Sequence, residues 1–498
     1  MKNVETPTEA PIVETKQGKV SGLARPSSFA YFGIPYAQAP IGPLAFADPQ
    51  PPKAWEGLRD GRLRGATGLL HTVPGTLVPE PARWGSNVLN LDVYTPEVGE
   101  AAKLPVFVWI HGGGFIAGSP AGSWYDGRGF NARGAVVVAI SYRLGFEGFG
   151  YVPGRPLNRG MADWVAALKW VQENIAAFGG DPGRVTIGGQ SAGGTAVLTL
   201  FAAPGAQGLF HGGWAASPAS ALMPEADARK IGAKLANLLG VENTAEGFEG
   251  MGRERIYATQ SEAGKTDARG LNKLQDLRPG TLPYGPVLDG ETIGESINDS
   301  YLQGVGTQVP LVVGSTTDEF TFIMDKVRGP LTFVPKNRAL SFLGADDKQA
   351  AAYIQALASE GVTSTATVAG RYLTDSIFRS TVLSAAQARF EGSNGQARTW
   401  VYSFEWPTPT TGQAMHCIDL PFLFNCLGDE DVPALLGTRP PQTLADTVHD
   451  AAVRFIDRQD EPWPTWSPSN PVAQVFDEGA RLGETLTDTA YTPAAHLL

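Results

Sequence analysis

Val185-Thr186-Ile187-Gly188-Gly189-Gln190-Ser191-Ala192-Gly193 is the segment that says most about this protein. The apolar residues 185–187 predict a short strand and residues 194–200 predict a helix, so Ser191 lies at the apex of a tight turn between them. Such a turn needs small residues beside the serine, because its strained backbone passes close to both strand and helix. The helix N-terminus favours negative charge near the serine oxygen, so the segment predicts a nucleophile that forms a covalent ester.

The composition is that of a globular chain with an acidic balance. Of 498 residues, 43% are hydrophobic, and the net charge is −11 at pH 7. This charge argues against nucleic-acid binding, since phosphates select a basic surface. The length would allow two or three domains, but large α/β proteins often form one. We expect a flexible tail at 1–10 and a single domain at 11–498, with irregular insertions near 60–86, 260–285 and 323–337.

The sequence also carries signals about compartment and partners. The first residues hold no apolar signal core, and no apolar run approaches the length of a membrane span. Two cysteines, Cys417 and Cys426, in so long a chain favour free thiols and a reducing compartment. We therefore expect a cytoplasmic monomer or homodimer that acts on a small molecule, without membrane or nucleic-acid partners.

Apolar strands alternate with helical segments along the chain. Leu104–Ile110 and Ala135–Ile140 are unbroken apolar runs, typical of strands buried on both faces. The alternation predicts an α/β fold with a mostly parallel sheet and helices on both faces. Further strands are predicted at 12–22, 29–34, 211–216, 310–314 and 399–404, the first two antiparallel, and helices at 161–177, 225–239, 346–358 and 444–458.

Acyl transfer needs donors for an oxyanion, and the segment His111-Gly112-Gly113-Gly114-Phe115 follows a buried strand. Three consecutive glycines let the backbone turn its N–H groups toward a ligand, whereas a merely flexible turn would not need all three. We assign the N–H groups of Gly113 and Gly114 to the oxyanion hole, together with that of Ala192 after the nucleophile. One such donor is typically worth about 3–4 kcal/mol.

The general base must come from six histidines. His111 belongs to the glycine segment, and His71 and His211 precede the expected acid. Of the rest, His449 falls within a predicted helix and His496 is among the last three residues of the sequence. His416 lies in a loop after a predicted strand, where a base belongs, so we select it. The acid should follow the strand at 310–314, where Asp318 and Glu319 are adjacent, and sequence physics alone does not choose between them.

Several segments resemble the type-B carboxylesterase and cholinesterase family, notably its bacterial para-nitrobenzyl-esterase-like members. The resemblance covers most of the chain and implies an α/β-hydrolase fold and a serine esterase. We expect no metal or organic cofactor, because the triad chemistry needs none and the sequence shows no metal-ligand cluster. The resemblance also implies that the acid is Glu319, which matches the glutamate of the family's acid loop. The segments that carry it are Tyr31–Ala37, Leu91–Tyr94, His111–Phe115, Ser141–Gly145, Asn174–Pro182, the serine turn, and the acid and histidine loops.

The chain departs from the family at informative positions. Gln190 stands where the family usually has glutamate, which removes a negative charge beside the serine and implies a preference for neutral substrates. Ala45 and Ser86 replace two residues that form a family ion pair, and Val88 replaces a family disulfide cysteine. A second family ion pair is retained as Arg143 with Asp163, and we interpret it as structural.

Aromatic and apolar residues next to the catalytic loops predict an apolar gorge, with the insertions as lid and walls. Such a gorge suits esters with hydrophobic acyl or aryl groups. An aryl carbamate or amide hydrolase using the same triad is the alternative, and a non-catalytic binding protein on this fold is the remote one. The predicted pocket residues are Phe115, Ile116, Trp124, Gln190, Phe320, Phe322 and Phe422.

Overall fold

A computed structural model describes residues 10–71, 77–265, 282–325 and 327–498. The strands are β1 Val13–Thr15, β2 Gly18–Ser21, β3 Leu23–Ala24, β4 Phe29–Pro35, β5 Leu58–Asp60, β6 Asn90–Thr95, β7 Leu104–Ile110, β8 Val136–Ile140, β9 Gly180–Gln190, β10 Gly212–Ala216, β11 Met223–Pro224, β12 Val287–Leu288, β13 Leu311–Thr316, β14 Thr399–Phe404, β15 Ala473–Phe476 and β16 Leu486–Thr487.

The helices are α1 Arg128–Ala132, α2 Gly145–Phe149, α3 Arg159–Asn174, α4 Ala192–Ala202, α5 Glu225–Leu239, α6 Ala245–Glu249, α7 Arg253–Ala263, α8 Ile297–Leu302, α9 Thr321–Asp325, α10 Arg328–Leu331, α11 Lys336–Leu343, α12 Asp347–Ser359, α13 Thr365–Thr374, α14 Ser380–Gly392, α15 Leu420–Leu423, α16 Val432–Leu436, α17 Gln442–Arg458 and α18 Thr492–Ala495. Among these described helices, none is both long and apolar enough to cross a membrane.

Eleven of the described strands form the main sheet, in the order β16-β15-β14-β13-β10-β9-β7-β8-β6-β4-β3. The strands from β8 to β15 in this order run parallel, and the antiparallel pairs lie toward the two edges. The predicted α/β architecture is therefore confirmed. Because parallel strands end at one edge, the loops after β7, β9, β13 and β14 meet at the same edge of the sheet.

Alternate residues of each central strand pack into different cores, as the two-residue period of a strand requires. In β7, Val106, Val108 and Ile110 belong to one apolar cluster. Phe107 and Trp109 belong to the other cluster. Both faces of the sheet are thus covered, which explains the unbroken apolar run in this strand.

Most predicted elements are confirmed, with ends displaced by a residue or two. The short strand predicted at 185–187 is longer than expected, because β9 runs over Gly180–Gln190. The helix predicted at 161–177 is α3 followed by a short 3-10 turn at Ile175–Phe178. The single strand predicted at 12–22 is instead two strands, β1 and β2, which pair antiparallel. The turn between them is held by a hydrogen bond from the Thr15 hydroxyl to the Gly18 carbonyl. These two strands pair with β5 in a separate small sheet and not with β4.

The predicted insertions have different structures. Most described residues of 60–86 are irregular, and 260–285 includes the end of α7, with residues 266–281 outside the described part. Residues 323–337 contain short helices, which the sequence pattern did not predict. The tail at 1–9 also lies outside the described residues.

Candidate active site

Ser191 lies between the end of β9 and the start of α4, with φ 59° and ψ −123°. Positive φ is unusual for a residue other than glycine, so the turn is strained as predicted. A Cβ at Gly189 would lie 2.3 Å from the Gly193 carbonyl oxygen. A Cβ at Gly193 would lie 2.0 Å from the Ile110 carbonyl oxygen. Only glycine fits at both positions, which explains the motif in steric terms.

His416 and Glu319 meet at the same edge, from the loops after β14 and β13. The imidazole Nδ1 donates to Glu319 Oε2, and the His416 backbone N–H donates to the Glu319 carbonyl at 3.0 Å. Glu319 Oε1 accepts the Thr316 N–H at 2.8 Å, and the residue is fully buried. The carboxylate is therefore fixed, and because Nδ1 holds the proton, Nε2 of a neutral His416 is an acceptor.

Burial opposes a positive charge on His416, but the pKa of its imidazole is nevertheless raised well above the ordinary value. The adjacent Cys417 does not supply the opposing charge, because burial raises the pKa of its thiol and keeps it neutral. The Glu319 carboxylate at Nδ1 is the cause we assign. The imidazole of His416 therefore loses its proton at a higher pH than a free histidine does.

Asp318, the competing acid, faces away from His416. Its Oδ1 accepts a hydrogen bond from Arg371 Nε at 2.8 Å, and its Oδ2 accepts the Ala414 N–H at 3.3 Å. The geometry therefore gives Asp318 a charge partner of its own and leaves Glu319 as the carboxylate on the imidazole.

The glycine loop after β7 passes beside Ser191. Gly113 and Gly114 have φ 102° and 60°, and a Cβ at Gly112 would lie 3.2 Å from the Ser191 Cβ. The loop is closed by a hydrogen bond from the Ala117 N–H to the Gly113 carbonyl at 2.9 Å. Within the described part of the chain, no acceptor takes the N–H of Gly113 or Gly114. These two donors remain available to a ligand.

His111, at the start of this loop, is structural. Its Nδ1 donates to the Gly112 carbonyl at 2.9 Å, and its ring stacks on Tyr142 with centroids 4.5 Å apart. Burial lowers the pKa of His111 to about 4, so the ring is neutral near pH 7. His449 is likewise buried, within α17, and its Nδ1 donates to the Leu423 carbonyl at 2.8 Å.

The Gln190 side chain contacts the base directly. Its amide Nε2 lies 3.2 Å from His416 Nε2, and Gln190 is 1% exposed. Since an amide nitrogen can only donate, it donates to the neutral imidazole. The residue that departs from the family pattern thus touches the Nε2 atom of His416, the histidine predicted to be the base.

A cavity of about 270 Å³ opens at this edge of the sheet and is mostly apolar. Phe320 and Phe378 flank His416, with ring centroids 5.2 and 4.8 Å from the imidazole. The lining residues are Leu77, Val78, Glu80, Gly112, Gly113, Gly114, Ala117, Tyr125, Gln190, Ser191, Ala192, Ala219, Ser220, Leu282, Phe320, Ile377, Phe378, His416 and Cys417.

Of the seven predicted pocket residues, only Gln190 and Phe320 line this cavity. Phe115 turns into the core, where it packs on Phe149 and Trp164. Trp124 is buried in the other core, and Phe422 packs on Phe404 and Trp406. Ile116 and Phe322 are partly buried against the two cores and are not among the lining residues. Proximity in sequence to a catalytic loop does not fix the direction of a side chain.

The walls instead come from segments that are distant in sequence. Leu77, Val78 and Glu80 belong to the predicted insertion at 60–86, and Leu282 to that at 260–285. Ile377 and Phe378 lie in a π-helical turn between α13 and α14. No local sequence signal marks these residues, although the two insertions were expected to form walls.

The predicted ion pair of Arg143 with Asp163 is present and fully buried. Arg143 donates twice to the carboxylate, at 2.9 and 2.7 Å. It also donates to the carbonyls of Ala45 and Ala47. The carbonyl oxygens of Ala45 and Ala47 thus share Arg143 with Asp163. Ala45 is the position at which the family usually has another arginine.

A turn-borne serine, a buried carboxylate–histidine pair and free N–H donors at one sheet edge define a hydrolase of the α/β-hydrolase fold. The carboxylesterase family pattern matches residues 9–474 of the chain. The protein belongs to the carboxylesterase family. It is a carboxylic ester hydrolase, and an acyl-enzyme on serine is the general mechanism of this family.

The relatives agree with this assignment. The chain is 32% identical to para-nitrobenzyl esterase of Bacillus subtilis over 475 residues, which is 89% of each chain. It is 30% identical to phenmedipham hydrolase of Pseudarthrobacter oxydans, with 96% and 97% of the two chains covered. The structure of the Geobacillus stearothermophilus carboxylesterase EST55 superposes with a TM-score of 0.83 at 28% identity, covering 98% of this chain and all of the other.

Proposed function

We propose that Ser191 attacks the acyl carbonyl, with His416 as general base and Glu319 as the group that orients it. The observation that carries this proposal is the fixed imidazole, whose Nδ1 is bound by Glu319 and which lines the same cavity as Ser191. His416 takes the serine proton and passes it to the leaving alcohol. Water then repeats the cycle on the acyl-enzyme.

The N–H groups of Gly113, Gly114 and Ala192 would bind the oxyanion of the tetrahedral intermediate. The first two donors have no acceptor within the described residues, and Ala192 begins helix α4. Donors that are already in place cost no reorganisation when the negative charge develops, and the N-terminus of α4 adds to their effect.

The substrate class we propose is neutral esters with hydrophobic acyl or aryl groups. Apolar side chains form most of the cavity wall, and the side chain beside the base is a neutral amide at Gln190. The same triad would cleave an aryl carbamate, so that class is included in the test.

A panel of p-nitrophenyl esters from acetate to decanoate, with one aryl carbamate, tests the proposal on wild type and Ser191→Ala. We expect turnover in wild type that falls by about 10⁴-fold or more in the variant, because the remaining groups cannot form the acyl-enzyme. Ser220→Ala is the matched control, since Ser220 lines the same cavity outside the triad. Similar losses in both variants, or no turnover by folded wild type, would remove Ser191 from the nucleophile role.

A further inference from the structure

A carboxyl group that the mechanism does not use lies in the wall of the cavity. Glu80 lines it and is 7% exposed. Its Oε1 accepts the Tyr125 hydroxyl at 3.0 Å, and Tyr125 is buried and lines the same cavity. Nothing in the sequence motifs singles out Glu80, because it lies in the irregular segment 60–86.

Within the described part of the chain, no positive charge balances this carboxyl. Among the described residues, no lysine, arginine or histidine forms an ion pair with Glu80. The Tyr125 hydroxyl and the Ser119 backbone N–H donate hydrogen bonds to it. Tyr142 is also close, because burial and then the charge of an ionised Glu80 raise the pKa of its hydroxyl. Burial raises the pKa of Glu80 to about 8. Both tyrosines have pKa values raised well above 10, so these surroundings are neutral near pH 7.

A protonated carboxyl group is a hydrogen-bond donor as well as an acceptor. Tyr125 occupies the acceptor Oε1, and within the described part of the chain Glu80 has no acceptor for its own proton. A donor at the cavity wall that has no protein acceptor is available to a ligand oxygen. A neutral acid that donates a hydrogen bond in an apolar site has a precedent among enzymes.

We propose that protonated Glu80, held by Tyr125, donates a hydrogen bond to a neutral acceptor oxygen of the substrate, such as a ketone, an ether or a second ester. This inference rests on the proposed function, because it places the oxygen in the molecule that Ser191 attacks. Glu80 shares the cavity with Ser191 and the glycine loop, so that oxygen belongs to the acyl chain or the leaving group. The preferred substrates are therefore oxygen-bearing esters, and an ammonium ester is disfavoured.

Matched pairs of esters test this proposal. One set is p-nitrophenyl esters of straight-chain acids with a ketone at successive positions, each paired with the unsubstituted acid. The other set is methoxybenzyl acetates, each paired with its ethylbenzyl isostere. For at least one pair we expect wild type to show a kcat/KM ratio of about tenfold in favour of the oxygen-bearing ester, the worth of one hydrogen bond. The ratio should fall as pH rises through about 8, because Glu80 then loses its proton.

Two variants separate donation from packing. Glu80→Gln keeps a donor, so its ratio should persist and become independent of pH, whereas Glu80→Leu should abolish the ratio. The Gln variant carries the pH test alone if the Leu variant does not fold.

Three outcomes would overturn the inference: no pair with a ratio above one, a ratio unchanged in Glu80→Leu, or a ratio that rises with pH. Because each ratio compares two esters on one enzyme, these outcomes leave the nucleophile assignment intact. That assignment is tested separately, by the comparison of Ser191→Ala with Ser220→Ala and by turnover in folded wild type.

Discussion

Gln190→Glu would restore the carboxylate that the family usually carries beside the nucleophile. In this structure the Gln190 amide nitrogen lies 3.2 Å from His416 Nε2, so the new carboxylate would contact the imidazole from the side opposite Glu319. Two carboxylates would then stabilise the imidazolium. We expect the pKa of His416 to rise further, and the acidic limb of the pH–rate profile to move to higher pH.

The distance sets the size of this effect. Unit charges 3.2 Å apart attract each other by about 5 kcal/mol at an effective dielectric constant of 20. Since 1.36 kcal/mol corresponds to one pKa unit, this attraction would raise the pKa of His416 by at most about 4. The buried position opposes ionisation of the new carboxylate, which reduces the rise. We expect the midpoint of the acidic limb to move up by about one pH unit or more. A shift of one pH unit requires only about a quarter of the calculated attraction.

The assay is kcat/KM for a p-nitrophenyl ester across the pH range in which both forms are folded. Gln190→Met is the matched control, because it keeps the side-chain length but carries neither charge nor donor. It removes the hydrogen bond to neutral His416, so its midpoint should rise less than that of Gln190→Glu. Equal midpoints in the two variants, or a lower midpoint in Gln190→Glu, would refute the electrostatic reasoning. A choline ester and its neutral isostere should also become more alike as substrates of Gln190→Glu than of wild type.

Two further predictions concern the acid and the buried ion pair. Glu319→Gln should lower kcat by about 10⁴-fold and move the acidic limb to lower pH, because the group that raises the pKa of His416 is gone. Asp318→Asn should cost less than about tenfold, since Asp318 pairs with Arg371; equal losses in kinetic assays would contradict the assignment of the acid. Asp163→Asn should lower the free energy of unfolding by about 3–5 kcal/mol, because it leaves Arg143 charged and buried. Its control, Asp227→Asn, breaks an exposed pair with Lys230 and should cost less than about 1 kcal/mol in urea denaturation; similar losses in both variants would show that burial of the pair does not matter.

The sequence predicted the parts of the fold whose causes are local. Helix α5 begins and ends at the predicted residues, Glu225 and Leu239, and strand β14 at Thr399 and Phe404. Apolar periodicity and turn residues act over a few neighbouring positions, so they can be recognised without knowledge of the rest of the chain. One strand was predicted where β1 and β2 form a hairpin, because a short turn at Thr15–Gly18 interrupts an otherwise continuous strand pattern.

The triad positions were predicted from chain order, because nucleophile, acid and base must come from loops at one edge of a parallel sheet. The residues themselves left Asp318 and Glu319 open, and the resemblance to the family selected Glu319. The structure then shows why the two acids differ, since Asp318 contacts Arg371 and Glu319 contacts His416. That difference depends on α13, which supplies Arg371 from a part of the chain far from the acid loop.

The sequence by itself therefore determined the fold class, the serine turn and the glycine loop, since each is encoded by residues that are neighbours in the chain. Only the tertiary structure decided which side chains form the cavity wall. Phe115 follows the glycine loop yet packs into the core, whereas Phe378 and Glu80 reach the cavity from distant segments. The physical reason is that the direction and the protonation of a side chain depend on what packs around it, and those neighbours are assembled only when the chain folds.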